Sequence, residues 1–147
     1  MPIVALSCLL LIALTTVVHY EVLRVMHAAL PVLHIPDRAK LLAAMFGIFA
    51  AHFVEIALYG GAIWGLGHHM GFGALSGALP FSLENCLYFS AETYTSLGLG
   101  DIAPTGALRL VAGVEALNGL VLIGWSASFA YLSMERFWNV DAEDTRP

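Results

Sequence analysis

Thr93-Tyr94-Thr95-Ser96-Leu97-Gly98-Leu99-Gly100-Asp101 lies between two apolar segments, each long enough to span a bilayer, and its order of residue types decides the fold. Glycine at every second place permits dihedrals that other residues rarely adopt, so Leu97-Gly98-Leu99-Gly100 can turn successive carbonyls toward one axis. A stack of carbonyls of this kind replaces the hydration shell of a cation. The Ser96 hydroxyl adds oxygens at the inner end, and the Leu97 and Leu99 side chains are expected to point backwards into protein. Asp101 marks where the chain leaves for the outer mouth. A bare Gly-x-Gly is a weak signal, but here nine residues follow a short helical stretch inside a hydrophobic chain.

Composition agrees with a membrane protein. Of 147 residues, 59% are hydrophobic and 12% charged, and the mean hydropathy is +0.81, far from the values of soluble domains. The net charge of -5 comes largely from Glu135, Asp141, Glu143 and Asp144 and gives no reason to expect a nucleic acid partner. Three segments exceed the ~20 residues that cross a ~30 Å hydrocarbon core. The first runs from about Ile3 to Leu30, before Pro31. The second starts at Pro36-Asp37, a good helix start, and the last ends near Trp138. Ser82 to Tyr94 is too short to cross. A half-crossing helix followed by extended chain is tolerated at membrane depth only when buried in protein or lining a water-filled path.

The expected fold is therefore all-α, with three transmembrane helices, a re-entrant pore helix and a filter. An N-terminal helix and cytoplasmic loop occupy residues 1–36. A pore unit follows over 37–138, with an outer helix 37–66, pore helix 82–94, filter 95–101 and inner helix 105–138, and then a short tail over 139–147. Arg24, Arg38, Lys40, Arg136 and Arg146 fall on one side and only Arg109 on the other, which makes the former side cytoplasmic and puts the N-terminus outside. Phe137 and Trp138 at the inner edge and Trp64 at the outer edge fit aromatic belts. The first segment lacks a basic start and a small-x-small cleavage site, so it is expected to be retained rather than cleaved, and to pack outside the pore unit. Cys8 and Cys86 read as small buried side chains, not a disulfide.

The central stretch resembles the potassium-channel pore family, whose usual filter reads T-T-V-G-Y-G-D. Thr95, Ser96, Leu97, Gly98, Leu99, Gly100 and Asp101 occupy those seven places. The resemblance extends upstream, where Tyr88 and Phe89 stand in place of paired tryptophans and Glu92-Thr93 matches a dipeptide common in bacterial pores. Downstream it runs through Pro104 and Arg109 to Gly119, which aligns with the family's hinge glycine if one residue is deleted. It implies a homotetramer embedded in lipid in the plasma membrane and no enzymatic activity. Permeant K+ would be held at Ser96, Leu97, Gly98 and Leu99, with no other cofactor. It also implies filter support from Tyr88, Phe89, Glu92 and Thr93, with Glu92 sharing a proton or a water with Asp101. Leu97 replaces the usual Val and Leu99 the usual Tyr. Phe89 lacks a donor just as Leu99 lacks an acceptor, so no polar group is stranded and the brace is expected to come from packing.

Ionisable residues inside spanning helices are functional hypotheses by default. His52 and Glu55 share one face of the second helix at i and i+3, and Glu115 and Asn118 do the same on the last. At ~1.5 Å per residue they lie at nearly the same depth, which predicts a hydrogen bond or ion pair between His52 and Glu115 with Asn118 or Glu55 nearby. Such a cluster reads either as an interhelical lock or as a proton-sensitive gate. His-x-x-Glu is also half of a metal site, but no third ligand is evident. No spanning segment carries Arg or Lys at repeated third positions, which excludes a voltage sensor. Gly119 and Gly124 are gating candidates on the inner helix, with Gly124-Trp125-Ser126 along the cavity or its wall. The functional expectation is a passive potassium channel. The alternatives are a weakly selective cation channel, a non-conducting sensor or auxiliary subunit, and, last, a membrane enzyme or metal transporter.

Overall fold

The computed structural model describes residues 1–138. The expected tail, with Asp141, Glu143, Asp144 and Arg146, lies outside the described residues, as does the side chain of Trp138. Four helices, α1 (Pro2–Ala29), α2 (Asp37–His68), α3 (Leu83–Tyr94) and α4 (Leu108–Trp138), are joined with two short strands, β1 (Leu75–Gly77) and β2 (Ile102–Pro104). Of these, α1 with the 3-10 turn after it, α2 and α4 are long and apolar enough to cross a membrane, and α3 at about 18 Å is not.

Each long helix buries one stripe and leaves the rest apolar surface outward. On α1 the buried residues are Val4, Cys8, Leu11, Thr15, His19 and Leu23, at spacings of three and four, the period of one helical face. Leu6, Leu9, Leu10, Leu14 and Val17 on the other faces are exposed, as lipid contact requires. The α1 helix ends where Pro31 tightens the chain into a 3-10 turn over Leu30–Val32. On α2, Asp37 in the first turn pairs with Lys40 at 2.9 Å, and Lys40 also sits over the Phe137 ring at the end of α4.

The first helix flanks the pore unit and shares its core. It packs against both α2 and α4, and Val4, Cys8 and Leu11 share one core with Tyr59, Ile63, Leu66, Cys86, Phe89, Leu108 and Val111. A second, smaller apolar cluster of Leu30, Ala44 and Phe137 closes the opposite end. Polar side chains fill the level between the two. Cys8 and Cys86 are both buried and unpaired.

The strands are a feature the sequence analysis did not anticipate. β1 and β2 pair antiparallel, Leu75 opposite Pro104 and Gly77 opposite Ile102, so the chain entering the pore helix is clipped to the chain leaving the filter. Only glycine fits at position 77, where φ is 145° and a Cβ would meet Ile102 Cα at 2.9 Å. Thr105 extends the clip. Its amide donates to Ala74 O at 2.8 Å, and its Oγ1 accepts from Ala74 N at 3.0 Å. Ala107 N donates to Phe72 O at 2.8 Å and Gly106 has φ 57°, so residues 105–107 are held in this loop. For that reason the last helix begins at Leu108 rather than at Thr105.

Candidate functional site: the pore loop and the polar layer beneath it

The pore helix α3 is started by Ser82, whose Oγ accepts from Asn85 N at 3.2 Å. It ends at Thr95, and Leu97 N then donates back to Glu92 O at 2.8 Å. From there the backbone alternates in hand. Ser96, Gly98 and Gly100 have φ of 58°, 57° and 80°, while Leu97 and Leu99 stay outside the left-handed region. Alternation of this kind is what brings successive carbonyls to one side of an extended chain. Ser96 is the one described non-glycine residue with positive φ, a position that costs of order 1 kcal/mol and persists only where neighbours enforce it.

Two hydrogen bonds to side-chain carboxylates brace this segment, and neither is the one expected. Glu92 is buried and its Oε2 accepts from Leu99 N at 2.9 Å. Asp101 Oδ2 accepts instead from the Tyr88 hydroxyl at 3.1 Å. A direct Glu92–Asp101 hydrogen bond is therefore absent among the described residues, because a backbone N–H and a phenol each satisfy one carboxylate. Phe89 is buried in the apolar core, and Thr93 contributes its carbonyl to Ser96 N at 3.0 Å. The Leu97 and Leu99 side chains are 64% and 60% exposed in the single chain, so they do not turn into the protein's own interior as expected.

The intramembrane cluster is arranged differently from the predicted His52–Glu115 pair. The pore helix stands between them: Ser90 donates to Glu115 Oε1, and Tyr94, one turn further on, donates to Glu55 Oε2. The equal-depth estimate does not hold: on α4, His52 meets Ser126, eleven residues and about 16 Å along that helix from Glu115. His52 Nδ1 lies 3.0 Å from Glu55 Oε2 and 2.9 Å from the Tyr94 hydroxyl, and its Nε2 lies 3.0 Å from Ser126 Oγ. Asn118 donates to Thr15 Oγ1 on α1 at 2.8 Å. Glu115 Oε2 and the Tyr59 hydroxyl are buried without a hydrogen-bond partner among the described residues.

The residue that sequence reasoning missed is His19. It is fully buried, its Nδ1 lies 2.9 Å from Glu55 Oε1, and its Nε2 lies 3.2 Å from the same Ser126 Oγ that meets His52. The signal was present: a histidine four residues after Thr15 in an apolar spanning segment falls under the rule already applied to His52. Ser126 thus faces α1 and α2 from α4.

Neither gating candidate breaks α4, which runs continuously from Leu108 to Trp138. A Cβ on Gly119 would collide with the Tyr94 carbonyl oxygen and lie 2.9 Å from its carbon, whereas Gly124 has open space. The glycine at 119 therefore lets the inner helix approach the foot of the pore loop.

No curated protein matches the chain, and no solved structure does. A family model described as ion channel matches residues 41–135, from the second helix through the pore loop to near the end of the last. With that match over most of the chain, and three apolar helices around a re-entrant pore loop, the protein belongs to the ion-channel family and is a membrane channel of potassium-channel pore type rather than an enzyme.

Proposed function

We propose that the protein is a passive potassium channel, in which four copies contribute one filter each and K+ is coordinated by oxygens of Ser96, Leu97, Gly98 and Leu99. The observation that carries this reading is the alternating backbone hand at Ser96, Gly98 and Gly100, held by the Glu92 and Tyr88 hydrogen bonds. One chain supplies one strand of carbonyls, and a cation needs a ring. The exposed Leu97 and Leu99 fit this arrangement, since neighbouring copies would cover them.

The loop charges give the orientation: N-terminus outside, filter facing outward, C-terminus in the cytoplasm, in the plasma membrane. Gly119 and Gly124 remain the gating positions of this proposal. The reading is tested by the reversal potential of purified protein in planar bilayers under opposed potassium and sodium gradients. A value near the potassium equilibrium potential is the expected result. Robust current reversing near zero would instead favour a weakly selective cation channel, the reading suggested by two leucines where the family has Val and Tyr.

A further inference from the structure

The polar layer beneath the pore loop has more close polar contacts than protons to fill them. His19, His52, Glu55, Tyr94 and Ser126 are joined by six close contacts: each imidazole to Glu55, each to Ser126, and Tyr94 to both Glu55 and His52. Two neutral imidazoles and two hydroxyls bring only four protons, and a carboxylate brings none. If both Nδ1 atoms donate to Glu55, both Nε2 atoms are bare acceptors, and the single Ser126 proton satisfies one of them. A buried group left without its partner inside a membrane is costly.

A cation on the Nδ1 side removes the shortfall. Each imidazole then carries its proton on Nε2, and Ser126 Oγ, with two lone pairs, accepts from both. Metal-bound histidines commonly orient their second nitrogen on such an acceptor. The three ligand atoms of His19, His52 and Glu55 all lie within 4.8 Å of one another. Donors around a tetrahedral ion lie roughly 3.3 Å apart when bonded at ~2.0–2.1 Å, so only small side-chain shifts are needed. The Tyr94 oxygen is in place as a fourth donor. The His52 side chain retains 15% exposure, while those of His19 and Glu55 have none, which gives an entering ion one side of approach.

We infer that His19, His52 and Glu55 form a binding site for a divalent first-row transition metal, Zn2+ foremost. Two imidazoles and a carboxylate are the donor set such ions take. It is independent of potassium selectivity, since its ligands come from α1, α2 and the end of α3, with Ser126 of α4 orienting both imidazoles and no filter residue taking part. The ion would tie the pore helix, one residue before the filter, to the first two helices.

The test uses the full-length protein, stripped with a chelator, reloaded with Co2+ or Zn2+ and freed of unbound ion. Metal per chain is then measured, together with the Co2+ absorption spectrum. The expected result is about one ion per chain with the intense bands of a four-coordinate site. Retention should fall at least tenfold in His19→Gln and Glu55→Gln, and stay unchanged in a His68→Gln/His69→Gln double variant, which removes the imidazole pair at the outer end of α2. Wild-type protein that retains no metal would overturn the inference and leave an extra proton to fill the shortfall. Metal that His19→Gln keeps and the double variant loses would overturn it equally. Should His19→Gln fail to assemble, the double variant decides: intense cobalt bands support the site, and the weak bands of a six-coordinate surface ion overturn it.

Discussion

Replacing Gly119 with alanine separates two accounts of that residue. As a hinge it sits in a continuous helix with no contact at stake. As a packing residue it lies under the Tyr94 carbonyl, one residue before the filter. The added methyl carbon would lie 2.9 Å from Tyr94 C and 3.0 Å from Tyr94 Cγ, and closer still to the carbonyl oxygen. Ordinary contact begins near 3.4 Å, so α4 must retreat from α3 by at least about 0.5 Å for the carbon alone. Overpacking of this kind costs about 1–3 kcal/mol, against about 0.5–1 kcal/mol gained from alanine's helix propensity. The net loss is of order 1–2 kcal/mol. Gly124→Ala, with open space around its Cβ, keeps the gain alone. Thermal unfolding in detergent, paired with ion flux in vesicles, reads both effects. Gly119→Ala should unfold several degrees below wild type and conduct less, while Gly124→Ala unfolds at or above it. If the two variants prove equally stable, the packing account fails.

Other perturbations probe the braces and the polar layer. Glu92→Ala strands the Leu99 amide, which should cost about 1–3 kcal/mol and alter filter inactivation more than unitary conductance in single-channel records. Tyr88→Phe removes the donor to Asp101 and should speed the decay of current during sustained opening. His19→Leu takes one of two imidazoles from a buried carboxylate, and leaving that oxygen without its partner costs about 1–3 kcal/mol. A melting temperature equal to wild type would contradict the buried contact. Thr105→Val cuts the side-chain link to Ala74 and should lower stability by about 1 kcal/mol without changing selectivity, checked by unfolding and reversal potential on the same preparation.

The parts of this fold that were readable from sequence are those governed by local rules. Spanning lengths, the Ser82 cap and the glycine alternation each depend on a few consecutive residues, and the helices lie within a few residues of the expected positions. What escaped depends on contacts between distant segments. Counting residues from the membrane edges paired His52 with Glu115, yet His52 meets Ser126 three turns further along α4, and Ser90 and Tyr94 of α3 take up the carboxylates of Glu115 and Glu55. The β1–β2 clip joins two three-residue segments, too short to show a period of two. His19 escaped because its partner Glu55 lies 36 positions away on another helix.

The same contacts explain why α1 is part of the machinery. Glu55 would otherwise face one imidazole, and Asn118 would lose Thr15, the acceptor on α1 for its amide. Water can serve such groups in a soluble protein, but not in the hydrocarbon of a bilayer. The helix therefore completes a polar layer that α2, α3 and α4 leave unsatisfied among themselves. Because Tyr94 and Gly119 belong to both that layer and the foot of the pore loop, whatever charge the layer holds bears directly on the first residues of the filter.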